Sequence, residues 1–143
     1  MTAALLLLAL TAAPDERDLD AVAAVHGEAG PWAVAGWRMA KHAMKKLGPD
    51  VTVKHESPKQ VQYSCIADGA QAATKTSVGK LSLTWVESAE TRTTFTNAAG
   101  KSITLVPSPA FIKRFKDAPR EKARENGRIV LGLKDEEIFI AAK

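Results

Sequence analysis

Apolar positions along the chain recur first at helical intervals, then at every second residue, and finally at helical intervals again. Behind Pro14 and the acidic cluster DERDLD, Leu19, Val22 and Ala23 fall on one side of a first helix predicted to run to about Val25. The HGEAG stretch interrupts it. Pro31 suits the first turn of a second helix, which continues through Trp32 to Leu47 with Gly36 as the one breaker and Gly48-Pro49 as the stop. Val34, Trp37, Lys41 and Met44 form one row of that helix, and Ala35, Met39, Ala43 and Leu47 form another. A broad apolar face is therefore predicted to pack on a sheet, while Lys45 and Lys46 complement the negative end of the helix dipole.

Residues 51–56, VTVKHE, alternate as a strand does, and Pro58 and a short extended piece, VQYSC, follow. The alanine-rich run from Asp68 to Thr76 predicts a short helix with Asp68 as its N-cap. Residues 81–86, 91–96 and 102–106 read as three strands joined by the turn-prone SAE and NAAG, so an antiparallel meander is expected. Leu81, Leu83 and Trp85 alternate with Ser82 and Thr84, the pattern of a sheet with one buried face. Beyond Pro107 and Pro109 come one or two basic helices, then a last segment whose Ile138, Phe139 and Ile140 are expected to pack on the core. The order helix, helix, strand, helix, three strands, helices is that of an α+β fold, a mixed or antiparallel sheet packed by helices.

A length of 143 residues with 45% hydrophobic content suits a single domain, expected over residues 14–143. The net charge of +4 is concentrated: residues 113–128 hold seven basic and three acidic side chains, which accounts for the whole excess. That segment reads either as a solvated face or as a surface that docks on an acidic partner. Aromatic residues interleaved for base stacking are missing from its later turns, so no nucleic-acid partner is expected. The first thirteen residues join an apolar run, 3–10, to Thr11 and Ala13 at the positions a signal peptidase reads. They predict a signal peptide and a periplasmic or secreted protein. No Lys or Arg precedes the run, so a start codon placed too late or a buried N-terminal helix in a cytoplasmic protein are the rival readings. The run is far too short for a stable membrane span.

Candidate chemistry falls in two short segments, His26 to Pro31 (HGEAGP) and Cys65 to Gly69 (CIADG), each expected just before a helix. Cys65, the single cysteine, can form no internal disulfide. Placed at a helix start it would be favoured as a thiolate, able to bind metal or act as a catalytic nucleophile; the competing reading is a buried packing residue. His26 and Glu28 reach the same place if their loop folds over the sheet edge, giving N, S and O donors suited to zinc or another divalent transition metal. No CxxC or HExxH spacing is present. His42 and His55 are expected to be surface or packing residues, and the Ser77-Val78-Gly79-Lys80 turn to be a hairpin entrance rather than an anion loop.

With these residues in view, the chain resembles the core domain of the FmdE family, which takes its name from formylmethanofuran dehydrogenase. Family members carry an HGHxCPG-like loop leading into a GxRMxxxAxxxLG helix. Here His26-Gly27-Glu28-Ala29-Gly30-Pro31 is followed by Gly36-Trp37-Arg38-Met39 and Leu47-Gly48. A second family block is matched by Cys65, Asp68, Gly69, Gln71, Thr74, Gly79-Lys80 and Leu81. The loop's second histidine is Glu28, its cysteine is Gly30 and a later cysteine is Thr76, and the cysteine-rich ribbon of some relatives is absent. The resemblance implies an α+β core in α-β-α-β-β-β order. It also implies a metal-binding character, in a family whose namesake is a molybdenum or tungsten enzyme that reduces carbon dioxide on methanofuran. His26 and Cys65 carry over as metal ligands, with Glu28 or water completing the set, and Asp68 and Gln71 as cofactor-contacting residues.

Three functions follow as expectations: a domain binding a transition metal or small ligand, a thiol-dependent enzyme with Cys65 as nucleophile and His26 as base, or a non-catalytic subunit docking through residues 113–128. A homo-oligomer is among the assemblies expected.

Overall fold

In the computed structural model, residues 15–143 are described; the expected signal segment, 1–13, lies outside them. Asp15 accepts a hydrogen bond from the Arg17 N–H and so caps helix α1 (Glu16–His26), whose Leu19 and Val22 face the core. Gly27, at φ +90, ends it and turns the chain toward α2 (Pro31–Leu47), which begins at Pro31 and stops at Gly48 as its sequence predicts. Strand β1 (Val51–Ser57) buries Val51, Val53, His55 and Ser57 on the face beneath the helices.

The next helix corrects the sequence reading. VQYSC is not extended: it forms the first turns of α3 (Val61–Thr74), which places Cys65 in the second turn and Asp68 in the middle rather than at the N-cap. The cause is tertiary. The small residues of α3 let it lie directly on α2, with Gly69 against the backbone of Ala33 and Gly36 of α2 against that of Ile66. That close packing overrides the local preference of VQYSC for extended backbone.

The sheet has the order β2-β1-β3-β4-β5 and includes β2 (Leu83–Glu87), β3 (Arg92–Asn97) and β4 (Ser102–Pro107). Strand β2 runs parallel to β1, with α3 as the crossover, and does not pair with β3; β3 pairs antiparallel with β1 and with β4. The expected three-stranded meander is therefore a two-stranded one, β3-β4, with β1 inserted between β2 and β3. Alternation along 81–86 also breaks down, because Leu81 sits at φ +58 and is 90% exposed, so of the three only Leu83 is buried.

After β4 come α4 (Pro109–Phe115), capped by Ser108, a 3-10 turn at Arg120–Lys122, α5 (Ala123–Gly132), the single turn α6 (Asp135–Ile138) and β5 (Phe139–Ala141), which pairs antiparallel with β4. Ile138 and Phe139 pack on the core as expected, but Ile140 points outward. The basic segment is thus not one helix. Two of its cations are used within the fold, since Arg124 bonds Glu16 and Asp20 and Arg128 bonds Glu16, tying α5 to α1. Trp32 anchors α4 to the helical layer: its indole N–H donates to the Phe115 carbonyl at 3.1 Å, and its ring meets Tyr63 and Phe111 edge-on. Among the described residues no helix is long and apolar enough to cross a membrane.

Candidate functional site

His26 closes α1 and Asp68 projects from the middle of α3, and the packing of these helices brings their side chains together at 2.7 Å, His26 Nδ1 to Asp68 Oδ2. A carboxylate only accepts, so Nδ1 carries the proton and donates it to Asp68. The bond orients the ring, and Nε2, without a protein partner among the described residues, is left to meet a ligand.

Cys65 lies one turn before Asp68 and lines the same cleft, which has a volume of about 440 Å³. Ser64 and Gln71 join His26 and Asp68 as its polar lining, and Val61, Leu83 and Trp85 supply apolar walls. Trp85 is fixed by its indole N–H, which donates to Ser57 Oγ at 3.0 Å. The cysteine does not have the expected character. Its residue is 8% exposed, its thiol donates to the Gln62 carbonyl at 3.1 Å, and burial, reinforced by the negative charge of Asp68, pushes the thiol pKa up to about 12. Placement inside α3 instead of at its start removes the helix-terminal field that would have favoured a thiolate.

Glu28 is not brought to this group. It lines a neighbouring cleft of about 580 Å³ with Gly30, Gln62 and Arg120, on which His26 also borders. Among the described residues no three His, Cys, Asp or Glu side chains gather closely enough to hold a metal ion. Four of the five residues singled out from sequence thus share one cleft: His26, Cys65, Asp68 and Gln71. Thr76, where the resemblance expects a cysteine, is buried past the far end of α3 and bonds Thr74 through its hydroxyl.

His55 is a packing residue. It is fully buried, its Nε2–H donates to the Tyr63 carbonyl at 2.9 Å and its Nδ1 accepts from the Thr93 hydroxyl at 2.9 Å, with burial lowering its pKa. His42 has a partner that sequence reading does not find: Asp135, 3.1 Å from its Nδ1, which also accepts from Arg38 at 2.8 Å. Trp85 lies on the helix-covered face of the sheet, in register with buried His55, as the alternation predicts, but it walls the cleft and is 38% exposed.

The sequence matches a family model, FmdE, described as "Molybdenum formylmethanofuran dehydrogenase operon", over residues 25–140. The chain belongs to the FmdE family. The match begins one residue before His26 and takes in all of α2 through β4, so both clefts of this FmdE domain lie within it. No curated protein matches the sequence.

Proposed function

We propose that this FmdE domain is a binding domain whose cleft between α1, α3 and β2 takes a small, largely apolar ligand carrying one hydrogen-bonding group. The observation that carries the reading is the His26–Asp68 pair at 2.7 Å, which presents an oriented imidazole beside a mostly apolar cavity. Apolar walls with a few convergent polar groups are the usual form of a small-molecule site. Gln71 adds a donor and an acceptor, and Nε2 suits a ligand hydroxyl.

A resident divalent transition metal fits these residues less well. Zinc sites use three or four protein ligands, whereas here His26 and Cys65 are the two strong donors and Glu28 faces the other cleft. Coordination by Cys65 would first require removing a proton from a thiol whose pKa lies near 12. Metal binding in this cleft would therefore be weak and would rise with pH.

Phenol and cobalt(II) serve as probes of the two readings. Phenol should shift the NMR signals of His26, Gln71 and Trp85 in a saturable way, and His26→Ala and Asp68→Asn should each weaken that response while the protein stays folded. Absence of any saturable shift at these residues would remove the small-ligand reading. A cobalt–thiolate absorption band at neutral pH, lost in Cys65→Ser, would put the metal reading first.

A further inference from the structure

One side of α2 carries Arg38, then Lys41 and His42, then Lys45 and Lys46, at spacings that stack them over two turns, a length of about 11 Å. With Asp135 of α6 they line a cleft of about 550 Å³, separate from both clefts that His26 borders. Asp135 is its one carboxylate, and both oxygens are engaged, Oδ1 by Arg38 at 2.8 Å and Oδ2 by His42 at 3.1 Å. Four cations thus surround one acid. Among the described residues no Asp or Glu lies within ion-pair distance of Lys41, Lys45 or Lys46. Lys41 rests over the Trp37 ring, 5.2 Å from its centre, which positions the ammonium without neutralising it. His42 is gripped on two sides, by Asp135 at Nδ1 and by the Phe139 ring at 5.1 Å, while Nε2 has no protein partner among the described residues. Lys45 and Lys46 also answer the negative end of α2, but that role does not bring Arg38, Lys41 and His42 to the same hollow.

We propose that this cleft binds a small phosphate-bearing molecule. The choice among anions follows from the donors that remain. Arg38 has the planar fork that suits a carboxylate, but the fork is already spread over the Val130 and Leu131 carbonyls and Asp135. Three ammonium groups and one imidazole nitrogen are left, point donors that share no plane. Such a set matches a tetrahedral, multiply charged phosphoryl group, whose terminal oxygens accept from several directions at once. The cleft is larger than one phosphate, so a second phosphoryl or an organic part has room beside the first. Lys41 and Lys45, four residues apart on one helix, repel each other, and a shared anion turns that repulsion into attraction. The site does not depend on what the His26 cleft binds.

Pyrophosphate, titrated into the full chain without added metal, should shift the NMR signals of Lys41, His42, Lys45 and Lys46 in a saturable way that fades at high ionic strength. Citrate, which carries a comparable charge on carboxylates, should bind about tenfold more weakly. Lys41→Gln and Lys45→Gln should each weaken pyrophosphate about tenfold, the loss expected for one charge-assisted bond. Both side chains are exposed, so the variants should stay folded. A pair of triple variants separates the site from net charge. Lys41→Gln, Lys45→Gln and Lys46→Gln together should abolish binding, whereas Lys113→Gln, Lys116→Gln and Lys122→Gln, equally exposed and equal in charge removed, should leave it within about twofold. Equal losses in the two triple variants would overturn the proposal, as would equal affinity for citrate or no saturable shift at these residues. So would capture by phosphatidic acid vesicles without any response to pyrophosphate, which would mark a membrane-facing patch instead of a cleft for a free ligand.

Discussion

The Arg38 guanidinium joins three elements: Nη2 donates to Asp135 Oδ1 at 2.8 Å, and Nη1 donates to the carbonyls of Val130 and Leu131 at 3.0 and 2.9 Å. These carbonyls belong to the last turn of α5, where the Leu133 N–H also reaches that of Val130, at 3.2 Å. A planar fork satisfies them and Asp135 at once, which an ammonium group cannot do. Arg38→Met should therefore cost about 2–3 kcal/mol in urea unfolding, the range for charge-assisted bonds to half-buried groups. Arg38→Lys should recover only part of it. Asp135 is 44% exposed on its side chain, so Asp135→Asn should cost less, about 0.5–1 kcal/mol. A stability equal to wild type in Arg38→Met would refute this role.

Between α2 and α3 the backbones touch. A Cβ at Gly36 would overlap the carbonyl of Ile66, and one at Gly69 would overlap that of Ala33; neither oxygen can move without shifting a helix. Gly36→Ala and Gly69→Ala should each destabilise by about 3 kcal/mol or more. Gly79 has open space around it and ordinary φ, so Gly79→Ala serves as the control and should leave the unfolding midpoint nearly unchanged. Equal midpoints for all three variants would mean that the helices are free to separate.

Local signals and non-local packing account for what can be read in advance. Pro31 and Gly48 bound α2 because they act through their own backbone angles, and β1 alternates because one of its faces is buried wherever its neighbours come from. The start of α3 is hidden for two reasons: Gln60 makes no side-chain capping bond, and Val61 and Tyr63 favour strands. Strand alternation marks which face of β2 is buried, not which strand lies beside it, so its parallel pairing with β1 is not visible. Within the site, Cys65, Asp68 and Gln71 are legible through the family resemblance, whereas their common side of one helix, at spacings of three residues, is hidden because VQYSC reads as extended. The bond from His26 to Asp68 spans 42 residues and arises only when α1 docks on α3. Asp135 carries no signal at all, since its partners are more than ninety residues away.

Cys65 should resist alkylation. With the thiol pKa near 12 and its proton held by the Gln62 carbonyl, iodoacetamide at neutral pH should label the folded protein far more slowly than the urea-unfolded chain. Asp68→Asn removes the smaller cause of the shift and leaves the larger, burial, so labelling should stay slow. Rapid labelling of the native protein would reopen the nucleophile reading.

Two buried groups bound the pH range of stability from opposite sides. His55 has a lowered pKa in the folded state, so the fold favours its neutral form; stability from this group is present above the ordinary value of 6.5 and is lost as pH falls through the folded value. Cys65 has a raised pKa, so its contribution is full below 9.0 and is lost as pH rises toward about 12. Urea midpoints should fall on both sides, and Cys65→Ala should flatten the alkaline arm while His55→Gln flattens the acid one. An acid arm unaltered in His55→Gln would assign it to other groups.

Chelation should leave thermal unfolding unchanged, because no three-donor group holds the described elements together. A fall of several degrees in Tm with a chelator, reversed by zinc, would show a metal that stabilises the fold.

The position of β1 in the sheet has a consequence for how this chain is made. Val53 must wait for Leu83, thirty residues later, and for Phe95, forty-two residues later, before either side of its strand is occupied. During synthesis, at about 5–20 residues per second, β1 leaves the ribosome seconds before any neighbour can pair with it. For that interval its cover is α3, the helix that packs on it and is complete at Thr74, so a mutation that loosens α3 would reduce the yield of soluble protein beyond its effect on the finished fold.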